Sequence, residues 1–417
     1  MLITFNFENY RSFKNKSGLD MTATQIRENS EHIIKLGHER ILPVASIYGA
    51  NASGKSNVYE AFKCMNQFVA ESAHYADHKE EYLKHLPEPY AFDLQRKKED
   101  TSFEVYLIID NDPKERIYNY GFSLNEAGIS EEWLNVKSKT ASAYRRIFLR
   151  SLNHLEMPGF DERTRENIQT VLDRYSLIIS TGALLTIEIC KNIRNWFMKN
   201  QFTNFDDEIK SGLQEHLLPA DFVHNETVRK KVVSYIHAFD PSIQDFKVEK
   251  IPVTDHDSPQ YLVYALHKVQ DSSELAPIPL YKESSGTIKM FSVYQRLKNV
   301  LDHGGVYFVD ELNAHLHPLV VRSFVQIFLD HSLNKSHAQL VFTNHDLILM
   351  SSDILRRDEI YFVDKDKDEC SLLYSFTDIV NDHGNIIRKD ENFVKNYLLG
   401  KYRAIPKLTG FDSLKEG

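Results

Sequence analysis

The chain opens on apolar residues at Leu2, Ile3, Phe5 and Phe7 with polar Thr4 and Asn6 between them, followed by the turn-like ENYRSF. Alternation closed by turn residues predicts a hairpin edge leading into the fold. ILPVASIYG (41–49) is a short apolar run bounded by Pro43 and Gly49, which predicts a buried strand. Beyond the glycine-rich GANASGKS, residues Val58, Ala61, Phe62, Met65 and Val69 recur at helical spacing. Strand, loop, helix is the first clear unit.

The pattern changes after residue 100. TSFEVYLIID and RIYNYGFSL alternate on either side of the turn-forming NDPKE, and GISEEWLNVK adds a further strand, together predicting an antiparallel β subdomain. From about 160 to 240 three amphipathic segments, DERTRENIQTVLDRY, TIEICKNIRNWFMKN and ETVRKKVVSYIHAF, predict helices. None keeps a heptad over several turns, so a long coiled coil is not expected. Pro241 closes this region, and strand-like DFKVEKIPV and QYLVYALHKV follow. Two later apolar runs, in GGVYFVDE and QLVFTNHD, end in acids and in a histidine. The expected organisation is an N-terminal lobe over 1–150, a helical insertion over 151–242 and a C-terminal lobe over 243–417, in an α/β fold.

Composition narrows the class. The 417 residues are 42% hydrophobic and 26% charged, as in ordinary globular proteins, which leaves room for two or three units. A formal charge of −9 argues against a protein that coats nucleic acid by bulk electrostatics, although a local basic groove remains compatible with it. Cys64, Cys190 and Cys370 form no C-x-x-C pair and fit free thiols in a reducing compartment. The first residues lack the pattern of a secretory signal, and the most apolar internal stretch, LIISTGALLTIEIC, carries Glu188 and is too short for a bilayer. A cytoplasmic protein with no membrane partner is expected.

GANASGKS satisfies G-x-x-x-x-G-K-[ST] in the strand–loop–helix context that gives this pattern meaning. Backbone N–H groups at a helix N-terminus surround phosphate oxygens, Lys55 adds a positive charge and Ser56 supplies a hydroxyl for Mg²⁺. Gly49, Asn51, Ser53, Gly54, Lys55, Ser56 and Asn57 are the candidate nucleotide contacts. A buried strand ending in Asp310 and Glu311 brings two acids to the carboxyl edge of a sheet, where Asp310 is expected to share the Mg²⁺ with Ser56 and Glu311 to polarise water. His345, at the end of the next strand, is the candidate to contact the γ-phosphate and hold that water in line. In ESSGTIKMFSVYQRLKNVL, residues Ser284, Ser285 and Gly286 suit the cap of a helix beginning near Thr287, a geometry that also attracts anions.

This order of parts resembles the ABC-type ATPases of the SMC, RecF and OLD class. The resemblance implies that each ATP is sandwiched in a homodimer or higher oligomer. One protomer would give Lys55, Ser56, Asp310, Glu311 and His345, the other Ser284 and Gly286 in trans. FNFENYRSF looks like the opening hairpin of the class and places Arg11 where a residue often approaches nucleotide. ESSGT, DELNAHLHP and RKDENFVKNYLLGKYRAIP are similar to a bacterial group of AAA ATP/GTP phosphatases that includes RloA-type proteins, abortive-infection ATPases and the ATPase subunit of PARIS anti-phage systems. The usual ending of that group has a glycine where this chain has Arg403. The implied function is an ATP-hydrolysing switch or scaffold of anti-phage defence that controls a separate effector, a nuclease being one class. A RecF-like DNA repair clamp is the alternative, and a binding module with vestigial hydrolysis a third reading.

Other patterns carry less. VDKDKDE (Asp364, Asp366, Asp368) reads as a hairpin turn rather than a nuclease metal site. His315 and His317 are spaced i, i+2, which suits neither helix nor strand for shared metal binding. The basic clusters Arg145, Arg146, Arg150 and Arg229, Lys230, Lys231 read as solvated faces. Gln67 and Gln95 are equal candidates for the glutamine that such ATPases carry between the first helix and the β subdomain.

Overall fold

The computed structural model describes residues 1–110, 112–205, 213–214, 218–219, 221–251, 260–380, 384 and 386–406. A six-stranded sheet organises them, in the order Gln201–Asn204, Val306–Asp310, Gln339–Thr343, Val44–Gly49, Ile360–Lys365 and Ser371–Ser375. The first five strands are mutually parallel and the last is antiparallel. Strand Val306–Asp310 shows why these runs are apolar throughout: Val306 and Phe308 enter one hydrophobic cluster, Tyr307 and Val309 the other. A sheet covered on both faces needs continuous rather than alternating hydrophobicity.

The first face is covered by helix Lys55–Glu71 and a seven-stranded antiparallel sheet. That sheet runs His154–Glu156, Arg145–Ser151, Gly128–Lys137, Ile117–Asn125, Thr101–Ile108, Leu2–Glu8 and Ser17–Asp20. The opening hairpin is present, but Leu2–Glu8 is an interior strand and only Ser17–Asp20 forms the edge. The second face is covered by helices Ser285–His303 and Pro318–Leu329 and by an antiparallel sheet containing Ile243–Ile251, Gln260–Lys268 and Leu275–Pro279. The architecture is α/β, two lobes about a mixed sheet with an antiparallel β subdomain.

The region 151–242 does not form one layer. Helices Glu162–Val171, Ile178–Leu184 and Glu188–Met198 contribute Ile168, Ile178, Ile179, Ile193 and Phe197 to the first cluster. Ser72 donates its hydroxyl to Ser180 at 2.8 Å there. Helix Glu226–His237 contributes Val232 and Ile236 to the second cluster. Between them, Gln201–Asn204 supplies the edge strand of the central sheet, pairing parallel with Val306–Asp310.

VDKDKDE forms the hairpin turn between the last two strands, with Asp366 Oδ1 accepting the N–H groups of Asp368 and Cys370 at 2.9 and 3.0 Å. Arg403 has φ 58°, so it takes the left-handed conformation that glycine fills most readily. No helix among the described residues is long and apolar enough to cross a membrane.

Candidate nucleotide site

The phosphate loop is fixed by contacts from distant parts of the chain. Gly49 ends its strand against the next one, and a Cβ there would lie 2.3 Å from the Val363 carbonyl oxygen. Gly54, at φ 113°, turns the chain into helix Lys55–Glu71, and a Cβ there would meet Ser371 Oγ at 2.6 Å. Asn57 Nδ2 donates to Ser12 Oγ at 2.7 Å, Ser12 Oγ and Ser371 Oγ lie 2.8 Å apart, and Ser371 Oγ donates to the Ser53 carbonyl at 2.5 Å. A carbonyl only accepts, so Ser371 spends its proton on Ser53 and the proton between the two serines belongs to Ser12. The relay runs one way, from Asn57 through Ser12 and Ser371 into the loop. Lys55 is buried and donates its ammonium to the carbonyls of Gly49 and Ala50 at 3.0 and 3.1 Å. Burial lowers its pKa, and the charges of Glu311 and Asp310 oppose that shift.

The acids stand opposite. Strands Val306–Asp310 and Gln339–Thr343 are in register with Val309 beside Phe342, which brings Thr343 alongside Asp310. Thr343 Oγ1 donates to Asp310 Oδ1 at 2.6 Å and accepts the Glu311 N–H at 2.8 Å. One hydroxyl thus fixes both acids. Asp310 is 2% exposed, and burial pushes its pKa up against the hydrogen bonds from Thr343 and Ser56. Glu311 has φ 56°, a conformation uncommon for a non-glycine residue. Its Oε1 lies 3.1 Å from His345 Nε2, and that hydrogen bond leads the effects that hold its carboxyl below the usual range. Two adjacent carboxyls therefore have opposite tendencies, a pattern that separates roles in hydrolytic sites. Asn313 Oδ1 accepts the His345 N–H at 3.0 Å and holds the histidine loop in place.

Between these walls lies an open cleft of about 440 Å³, with Asn51, Gly54, Lys55, Ser56 and Asn57 on one side and Glu311 and His345 on the other. Gly49 and Ser53 instead line an adjoining cavity of about 600 Å³, which shares Asn51 and His345 with the first. Ser56 and Asp310 offer a hydroxyl and a desolvated carboxylate in mutual contact, a hard-oxygen pair suited to Mg²⁺. Ser12, Ser371, Asn313 and Thr343 escaped the reading of the sequence, since only the order of the strands reveals what they touch.

Several expected residues lie elsewhere. Arg11 does not line the cleft; its Nε is 3.9 Å from Glu88 and its guanidinium lies 5.6 Å over the Tyr10 ring. Ser284 and Gly286 do not line it either: Ser284 caps helix Ser285–His303, which starts two residues before the expected Thr287. Neither glutamine borders it, and Gln67 Nε2 lies 3.1 Å from both Glu71 and His85. His317 accepts the Leu319 N–H at 3.2 Å as the cap of helix Pro318–Leu329. Arg150 donates to the carbonyls of Ser176 and Asp173, Arg229 to those of Phe222 and Val223, Arg146 pairs with Glu156, and Lys230 with Glu226.

No curated protein matches the sequence. Among solved structures, the chain is similar to an SMC head domain from Thermotoga maritima, at 12% identity and a TM-score of 0.40, covering 90% of this chain and 98% of that one. It is also similar to the Smc head domain with an extended coiled coil bound to the C-terminal domain of ScpA, from Pyrococcus furiosus, at 12% identity and a TM-score of 0.43, covering 90% and 96%. Residues 44–351 match the family described as "AAA domain, putative AbiEii toxin, Type IV TA system". That span runs from the phosphate-loop strand past the histidine facing Glu311 and takes in well over half of the chain, which therefore belongs to this AAA family.

Proposed function

We propose that the protein is an ATP-binding and ATP-hydrolysing switch or scaffold of a bacterial anti-phage system, holding each ATP between two protomers and controlling a separate effector. The observation that carries this reading is the half-built site. Lys55, Ser56, Glu311 and His345 share one cleft, while Ser284 and Gly286 border neither that cleft nor its neighbour. A second protomer is the natural source of the missing helix N-terminus, and its arrival would couple nucleotide binding to closure. The AbiEii description of the family supports the defence setting.

In this reading Lys55 and the N–H groups of the first helical turn hold the phosphates. Glu311, kept ionised by His345, accepts the proton of the attacking water. His345 keeps that carboxylate aimed at the cleft. Ser56 and Asp310 hold Mg²⁺, which when bound neutralises charge on the phosphate oxygens. The hydrogen bonds of Arg150 and Arg229 to backbone carbonyls weigh against the RecF-like alternative, because these two cations are already engaged within the fold.

The test is recovery of Glu311→Gln protein from its native cells with ATP and Mg²⁺. That change keeps the cleft's shape while removing the base. A stoichiometric second protein, above all a nuclease, supports an effector-controlling ATPase. Recovery of the protein alone with bound DNA overturns it in favour of the repair clamp.

A further inference from the structure

The start of helix Ser285–His303 contains a directional chain of hydroxyls. The Thr287 N–H donates to Ser284 Oγ at 3.1 Å, and the two hydroxyl oxygens lie 2.8 Å apart. Thr287 Oγ1 lies 2.8 Å from Asp240 Oδ2, while Asp240 Oδ1 accepts the N–H and the hydroxyl of Ser242 at 3.1 and 2.6 Å. Burial pushes the Asp240 carboxyl up, but the hydrogen bonds from Ser242 and Thr287 outweigh it and hold the pKa below its ordinary value. An ionised carboxylate only accepts, so the single hydroxyl proton of Thr287 points at Asp240. The proton between Ser284 and Thr287 must then come from Ser284. Although Ser284 is exposed, its proton is turned inward and it offers solvent a lone pair.

We propose that Asp240 is a positioning residue that keeps Ser284 in this acceptor-facing state, so that a phosphate presented by a second protomer engages only when the relay reverses. The inference rests on the shared-site reading above. A phosphate oxygen calls for donors, and Ser284 can donate outward only when its proton leaves Thr287. The carboxylate's charge also opposes an anion arriving at the same helix end. Asp240 is tied to the preceding helix, its N–H donating to the Ile236 carbonyl at 2.7 Å. Displacement of helix Glu226–His237 by a bound protein would draw the carboxylate from Thr287 and release the serine.

Asp240→Asn is nearly isosteric and reverses the relay. The two donors of Ser242 hold the amide oxygen, which turns the NH₂ group towards Thr287 Oγ1. The Thr287 proton then moves to Ser284 and the Ser284 proton faces outward. Thr287→Val frees the same proton by removing its acceptor while the Asp240 charge stays. The measurement is ATP-dependent self-association of the full chain by sedimentation, in the Glu311→Gln background with Mg²⁺ present. Both changes are expected to lower the ATP concentration at half-association about tenfold, the worth of one hydrogen bond to a charged group. A purely structural Asp240 predicts weaker association and a lowered melting temperature instead. Unchanged or weakened association in Asp240→Asn overturns the proposal, as does tightening by Asp240→Asn without Thr287→Val, which would leave charge alone as the cause. If the Glu311→Gln parent fails to associate with ATP, the shared-site reading itself falls, and the role of the relay with it.

Discussion

Thr343 is the residue on which the two acids depend, and Thr343→Val isolates that dependence. Valine keeps the shape of the side chain, so no cavity opens at this fully buried position. What disappears is one hydroxyl with two bonds, 2.6 Å to Asp310 and 2.8 Å from the Glu311 N–H. Leaving a buried N–H unpaired costs about 1–3 kcal/mol, and losing a hydrogen bond to a buried carboxyl costs about as much again. The expected loss of stability is about 3 kcal/mol, read as a shift of the urea midpoint at constant slope. Function should suffer more. Glu311 sits at φ 56°, a conformation costing about 1–2 kcal/mol for a residue with a Cβ, and its N–H bond to Thr343 helps hold it there. Once released, the carboxylate drifts from His345, and a displacement of about 1 Å can lower kcat about 100-fold. Thr343→Ser keeps the hydroxyl and removes a methyl, so it should cost only about 1 kcal/mol and leave kcat nearly unchanged. Phosphate release at saturating ATP and Mg²⁺ measures the effect. A Thr343→Val protein with wild-type kcat, or a serine variant as impaired as the valine one, would refute the reasoning.

Three further outcomes follow from buried groups. Glu132 accepts the N–H groups of Ile178 and Ile179 and the Tyr120 hydroxyl, and burial raises its pKa from 4.5 to about 7. The folded state therefore holds a proton that the unfolded chain has lost, so the contribution is full below pH 4.5 and falls by about 3 kcal/mol by pH 7. Glu132→Gln should remove that slope, and a stability gap to wild type that stays constant from pH 4.5 to 7 would exclude it. Arg356 is fully buried and pairs with Asp358 through Nε at 2.9 Å and Nη2 at 2.8 Å. Arg356→Met should cost about 3–5 kcal/mol by stranding that carboxylate, and adding Asp358→Asn should restore part of the loss in a double-mutant cycle. Gly49→Ala should abolish nucleotide binding measured by calorimetry, because the Val363 carbonyl, 2.3 Å from the new Cβ, belongs to a buried strand and cannot turn aside.

What the sequence made legible is what its local patterns encode. GANASGKS between an apolar run and a helical repeat, VYFV before Asp310 and QLVF before His345 each carry type and boundary within a few residues, and the structure has them as strand, loop and helix. Roles that depend on strand order were out of reach. Nothing in the neighbours of Thr343 says that its strand lies beside Asp310, and Ser12 and Ser371 are single hydroxyls in unremarkable surroundings. Gln201–Asn204 is a four-residue strand between helical patterns, too short for alternation to register, and its pairing with Val306–Asp310 carries it into the central sheet. The helices of 151–242 were visible, but amphipathicity does not say which layer an apolar face meets.

The serine relay also bears on how the protein comes into being. Ser12 and Ser371, which lie in contact, are separated by 359 positions, and the loop they hold falls between them. On a ribosome the phosphate-loop strand and its helix emerge first, whereas the hydroxyl that bonds the Ser53 carbonyl follows 318 residues after it. Contacts of such long range form late and slowly. Until then the loop lacks its anchor, and tight nucleotide binding waits for the strand that carries Ser371. A chain broken before Ser371 would therefore hold nucleotide poorly, because the bond that anchors the loop at the Ser53 carbonyl would be missing.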